Sequence, residues 1–229
     1  VKEVDKERKQ EVSFLPYECI NYEIVNYQYH LKLKEELIPT EIIGRHNMEN
    51  LEAARQVCLS LGIENDQFYN SIASFEGAAK RMETLYRSDR QLIMRDFAHA
   101  PSKLKATIEA VRENFPNRNL MAIMELHTYS SLDPTFLSQY TGTMDQADDP
   151  IVFVDDHALE LKQKDPISDD QIRSAFNNAS IRIFRSIEEL EQIVKGNRGK
   201  ESNVLFMSSG NFNGFDFDQF VNELNTIEE

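Results

Sequence analysis

The side chains able to do chemistry gather at a few places along the chain. Residues 44–54, GRHNMENLEAA, set His46 just ahead of a helical pattern and put Asn47 and Asn50 three apart, on one helix face. Backbone N–H groups and the dipole at a helix start favour anions, so these residues suit a nucleotide. The more ordinary reading is an N-capping asparagine beside a surface histidine. Next come FEGAAKRME (75–83) and RDFAHAP (95–101). Arg81 can hold a carboxylate or phosphate by two parallel hydrogen bonds. Asp96 is expected at a strand's C-terminal end and His99 in the following loop, an acid and a titratable ring at the mouth of a sheet. An Arg81–Asp96 ion pair that simply staples the segment is the competing reading.

Two further loops carry polar groups. HTYSS (127–131) puts His127 at a strand end. SSGNFNG (208–214) offers Ser208, Ser209, Gly210 and Asn211 in a turn-rich loop, whose N–H groups can cradle a carboxylate or merely connect two elements. His157 follows Asp155 and Asp156, but a metal needs three or four placed ligands, and an exposed loop is expected there. His30 reads as a solvated strand residue. Cys19 and Cys58 have neither metal-type nor disulfide-type spacing. No metal site is expected.

The elements that must position these residues follow from periodicity. Residues 1–43 are β-rich, with near alternation from Tyr22 to Leu33 and a parity shift at Asn26 that predicts a hairpin turn. Met48, Leu51, Ala54, Val57, Cys58 and Leu61 recur at helical spacing, and Gly62 is placed to stop that helix. A short helix is expected over 64–72 and a linker near 70–75. Beyond it, short apolar runs (91–96, 120–126, 151–154, 181–184, 204–207) alternate with helical patterns. Pro101 stands at N1 of one helix, Asp133 and Pro134 open a helix over 133–143, Ser168 caps one with Asp170 or Gln171 near N3, Ser186 caps one through Val194, and the last covers 215–224. Strand–helix alternation predicts an α/β fold with a mainly parallel sheet and ligands beyond the strands' carboxyl ends. GNRGK (196–200) reads as an exposed loop.

Bulk properties exclude several classes. With 25 Lys and Arg against 39 Asp and Glu, the net charge is −14, which disfavours nucleic acid and anionic membranes but leaves room for a local basic pocket. No run approaches the ~18 apolar residues of a membrane span. Two cysteines and no visible signal peptide fit a cytoplasmic setting. The chain opens on Val1 within a charged run, as an excised piece of a longer protein would.

Taken in order, G-x-H-N-x-x-N-x-x-A-A, then F-x-G-x-x-x-R-x-E, then D-F-A-H-x-P resemble the pattern of the Mur ligases, ATP-dependent enzymes that form amide bonds in peptidoglycan synthesis. The resemblance implies that residues 1–72 are the end of a central ATP-binding domain and that 73–229 form a Rossmann-like C-terminal domain that binds the amine substrate. It implies that His46, Asn47 and Asn50 line the nucleotide site, that Arg81 reaches the ATP phosphates, and that Asp96 and His99 face ATP and an acyl-phosphate. ATP and Mg²⁺ are the cofactors it implies, UDP-N-acetylmuramate and an amino acid or peptide the substrates. Two departures stand out. The expected H-H-P is His99-Ala100-Pro101, and no G-x-x-x-x-G-K-[ST] loop occurs in these residues, so turnover by this chain alone is not expected. Within the family, SSGNFNG is similar to the loop of the murein peptide ligases, which attach an L-alanyl-γ-D-glutamyl-meso-diaminopimelate tripeptide. HTYSS instead resembles that of the UDP-N-acetylmuramate–L-alanine ligases. A noncatalytic muropeptide- or nucleotide-binding module is the reading from a different class.

Overall fold

The computed structural model describes residues 2–5, 10–34, 36–197 and 200–226. The chain divides into two compact units, one of residues 1–41 and 45–75, the other of 42–44 and 76–229.

In the first unit β1 (Lys2–Asp5) pairs antiparallel with β2 (Gln10–Ser13). β3 (Tyr22–Val25), β4 (Gln28–Leu33) and β5 (Glu36–Thr40) form a separate antiparallel sheet. The expected turn at Asn26 is a two-residue loop: Asn26 and Tyr27 have φ of 51° and 63°, the left-handed pair that matches strand twist in a tight hairpin. Tyr22 stacks on Tyr29 across it, ring centres 5.1 Å apart. α1 (Arg45–Ser60) and α2 (Asn65–Ile72) follow. α1 ends as its glycine requires. Gly62 (φ 85°) donates to Leu59 O at 3.0 Å and Ile63 to Cys58 O at 3.0 Å, which satisfies two terminal carbonyls. Met48 and Leu51 are buried, whereas Val57 and Leu61, expected on the same apolar face, are exposed.

The second unit is a six-stranded sheet of order β10-β9-β8-β11-β7-β6, built from β6 (Glu83–Arg87), β7 (Gln91–Asp96), β8 (Asn119–Leu126), β9 (Asp149–Val154), β10 (Arg182–Phe184) and β11 (Ser202–Met207). Five strands are parallel; β6 is antiparallel to β7 and the sequence reading passed over it. The crossover helices are α3 (Pro101–Asn114), α4 (Pro134–Leu137) with a 3-10 turn at Ser138–Tyr140, α5 (Asp156–Leu161), α6 (Asp169–Phe176), α7 (Ile187–Gly196) and, after β11, α8 (Phe217–Thr226). Strand pleating sorts the core into two layers. Ile93, Met121, Ile123, Ile151, Phe153, Val204 and Phe206 pack with Leu190 and Val194 of α7 and Phe220 and Leu224 of α8. Residues of the opposite parity, such as Met94, Ala122, Met124, Val152 and Leu205, are equally buried. α3 packs on that other side, as a bond from its Thr107 to Asp96 shows.

Caps set several boundaries. Ser168 Oγ accepts from Gln171 N–H at 3.2 Å and Gln171 Oε1 from Ser168 N–H at 2.8 Å, a reciprocal capping box with Gln171 as N3. The helix expected over 133–143 is cut short after one turn. Thr141 Oγ1 donates to Ser138 O (2.8 Å) and Ala175 O (2.9 Å), and Gly142 turns left-handed (φ 70°), which ends the helical path. His157 is exposed as expected but belongs to a helix: Asp155 caps α5 by accepting from His157 N–H at 2.9 Å. The loop read at 196–200 falls partly outside the described residues.

Candidate functional site

β7, β11 and β8 are neighbours, so their carboxyl ends bring Asp96, Ser208 and His127 to one edge. The edge holds two clusters, each built round a buried carboxylate. Asp96 Oδ1 accepts from Met82 N–H (3.0 Å) and Oδ2 from the Thr107 hydroxyl (2.8 Å). The next residues stack. Arg81 lies over the Phe97 ring at 5.0 Å, and His99 meets the same ring edge-on at 5.1 Å. Asp96 and Arg81 therefore do not form the ion pair considered above. Arg81 is exposed, and among the described residues no carboxylate pairs with it. His99 Nδ1 sits 2.8 Å from Phe97 O; a carbonyl only accepts, so Nδ1 carries the proton and Nε2 is left for a ligand. The Tyr140 hydroxyl donates to His99 O at 2.5 Å, and burial pushes that phenol up to about 12.

The second cluster centres on Glu125, a residue the sequence reading missed. Its side chain is 1% exposed. Oε2 accepts from the Ser208 hydroxyl and from Phe212 N–H (3.1 Å). Oε1 is buried without a hydrogen-bond partner and stands 3.5 Å from His127 Nδ1, likewise buried and unbonded. Gly210 fits between them: a Cβ there would lie 2.7 Å from Glu125 Oε2 and from His127 Cγ and Nδ1. Gly210 N–H donates to Ser208 Oγ at 2.6 Å, and Asn211 O accepts from Gly214 and Phe215 N–H at 3.1 and 3.0 Å. Ser209 is half-buried and Asn211 exposed. Phe212, Asn213 and Gly214 run left-handed at φ 50°, 55° and 80°. The Phe212 ring, packed against Phe153 and Phe206, anchors the loop beneath. The clusters meet where Ser208 N–H donates to Asp96 O at 3.1 Å.

A cavity of about 240 Å³ opens beside them, lined among others by Lys80, Arg95, Asp96, Ser208, Asn211 and Asp216. Arg95 holds Glu83 by two bonds of 2.8 and 3.0 Å and lies over Phe217 at 5.5 Å. Those bonds keep the Glu83 carboxyl below its ordinary range, against the opposing effect of burial. Among the described residues no group of three acidic, histidine or cysteine side chains could hold a metal ion.

The remaining sequence candidates lie in the first unit. α1 begins at Arg45, so His46 sits within its first turn rather than before it. Asn50 Nδ2 donates to Asn47 Oδ1 at 3.4 Å, so the two amides do share a face.

A mainly parallel sheet with a cleft at its carboxyl edge defines an α/β domain of the kind whose ligands bind at that edge. The family model for the Mur ligase glutamate ligase domain matches residues 80–210, more than half of the chain, and the chain belongs to the Mur ligase family. The UDP-N-acetylmuramate–L-alanine ligase of Desulfitobacterium hafniense is 24% identical over 171 residues, 74% of this chain and 38% of that relative. The chain spans less than half the length of the curated relatives it matches. Two solved structures share the fold. The UDP-N-acetylmuramate–alanine ligase of Thermotoga maritima has a TM-score of 0.67 at 15% identity and covers 91% of this chain and 45% of its own. The murein peptide ligase of Psychrobacter arcticus has a TM-score of 0.56 at 18% identity, with 88% and 43% covered.

Proposed function

We propose that this chain is the acceptor-binding part of an ATP-dependent, ADP-forming ligase that joins an amine to the carboxylate of UDP-N-acetylmuramate. In this reading the second unit receives the amine substrate, and the first unit ends the nucleotide-binding domain through His46, Asn47 and Asn50. ATP would supply the phosphoryl group that turns the carboxylate into an acyl-phosphate; the amine attacks its carbonyl carbon, phosphate leaves, and the amine loses a proton. Work of this kind is mostly positioning and charge neutralisation.

The observation that carries the reading is Arg81: an exposed guanidinium, its carbon 5.0 Å from the centre of the Phe97 ring and free of carboxylate partners among the described residues, beside the Asp96–His99 loop. A planar cation held this way is suited to bidentate phosphate. His99, with Nε2 open, stands beside the same ring. His127, Ser208, Ser209, Gly210 and Asn211 form the acceptor side. Mg²⁺ would accompany the ATP phosphates, whose oxygens suit it as ligands. No helix of the described residues is long and apolar enough to cross a membrane, and a reaction using ATP and a UDP-sugar fits the cytoplasm.

The acceptor we favour is the L-alanyl-γ-D-glutamyl-meso-diaminopimelate tripeptide, from the 208–214 loop. L-Alanine is the second reading, supported by HTYSS and by the names of the relatives. ADP release by the full-length natural protein, given UDP-N-acetylmuramate, Mg²⁺ and either acceptor, tests both. Turnover with the tripeptide alone is the expected result. Turnover with L-alanine alone moves the assignment to the amino-acid-adding step, and turnover with neither supports the noncatalytic module.

A further inference from the structure

We propose that Glu125 is a positioning residue that fixes His127 as its Nδ1–H tautomer and so presents Nε2 to the site as a hydrogen-bond acceptor. Glu125 Oε1 and His127 Nδ1 are both buried, both without a hydrogen bond, and 3.5 Å apart. A buried polar atom left bare is costly, so two such atoms this close call for a shared proton. A carboxylate oxygen accepts; the proton therefore sits on Nδ1. The 32% exposure of the His127 side chain lies on atoms other than the buried Nδ1, and a proton on Nδ1 leaves the lone pair to Nε2.

The other oxygen explains why glutamate is required rather than any acceptor. Ser208 Oγ–H and Phe212 N–H both point at Oε2. In Glu125→Gln these two donors select the amide oxygen for their side and turn the NH₂ towards His127. Two donors would then meet at Nδ1, so the ring must move its proton to Nε2. The substitution keeps shape and loop contacts while reversing the acceptor into a donor. Gly210 maintains the arrangement, because a Cβ there would intrude on both partners at 2.7 Å.

As the acceptor for an incoming amine, the inference rests on the ligase reading; as a statement about the tautomer, it does not. The test is ¹⁵N-resolved NMR of the histidine rings of this chain, at a pH where His127 is neutral. Wild type is expected to show Nδ1–H as the dominant form, Glu125→Gln to show Nε2–H, and Ser208→Ala to stay like wild type, because it leaves Oε1 untouched. Nε2–H in wild type, or an unchanged tautomer in Glu125→Gln, overturns the proposal. In the full-length protein the same Glu125→Gln change should lower kcat/KM for the amine acceptor by about tenfold or more, with KM for ATP unchanged. Equal loss on both substrates overturns the positioning role, whereas an inactive wild type counts against the ligase reading and leaves the NMR result standing.

Discussion

Asp96 and Glu125 occupy the same sheet edge, on β7 and β8 with β11 between them, and each holds a backbone N–H from a residue in the left-handed region, Met82 (φ 49°) and Phe212 (φ 50°). Each also accepts from a hydroxyl, of Thr107 and Ser208 respectively. The distribution of those donors is what differs. Asp96 takes one on each oxygen. Glu125 takes both on one oxygen and leaves the other unbonded, 3.5 Å from His127 Nδ1. Each oxygen of Asp96 already serves a donor, whereas one oxygen of Glu125, in a closed setting, has its capacity left for a neighbour. Both hold strained backbone, since a left-handed non-glycine residue costs about 1–2 kcal/mol.

Breaking the member that serves a donor on each oxygen should have the largest effect on stability. Asp96→Ala strands Met82 N–H and the Thr107 hydroxyl in a buried place, and urea unfolding is expected to show a loss of about 2–4 kcal/mol. Glu125→Gln, whose two donors still find one oxygen, should cost less than about 1 kcal/mol. If the two variants lose equal stability, the contrast between the carboxylates is wrong. Gly210→Ala addresses the Glu125 side alone. Its methyl must displace His127 or Glu125, so a loss of about 1–3 kcal/mol is expected in the same measurement, and an unchanged midpoint would show that this packing is loose.

The smallest effect concerns the wall of the cavity. Hydrogen bonds from Arg95 hold the Glu83 carboxyl below its ordinary range in the folded chain. The folded value lies below the unfolded one, so this stabilisation is present above the ordinary glutamate range and is lost as pH falls through the folded value. Glu83→Gln should therefore cost less than about 1 kcal/mol near neutrality and nothing at pH values below the folded one, which flattens the acid limb of the stability–pH curve by that amount. An unaltered acid limb would remove Glu83 from the account.

Much of this edge is legible in the sequence. Pro101 at N1, Ser168 with Gln171, Ser186 and Gly62 announced helix ends by local bonds that need only neighbours in sequence. Apolar runs located the five parallel strands, and strand–helix alternation placed Asp96, His127 and Ser208 at carboxyl ends. What escaped depends on partners distant in the chain. β6 carries Glu83 and Arg87 and exists through pairing with β7. α5 is six residues long, too short for periodicity to speak. Glu125 was hidden inside LMAIMEL, where the one charge in a fully buried run was itself the signal: such a group persists only with partners, here 83 and 87 residues away.

The two outermost strands of the six-stranded sheet bear on how the protein behaves in a crowd of its own copies. β10 is only three residues long, and β6 carries a bulge at Leu85, where its register against β7 shifts between Thr84 and Tyr86. A long straight outer strand invites a foreign chain to add itself by backbone pairing; a stub and a kink do not. Concentrated solutions should accordingly be spared strand-to-strand polymerisation through this sheet, whatever the apolar character of its interior.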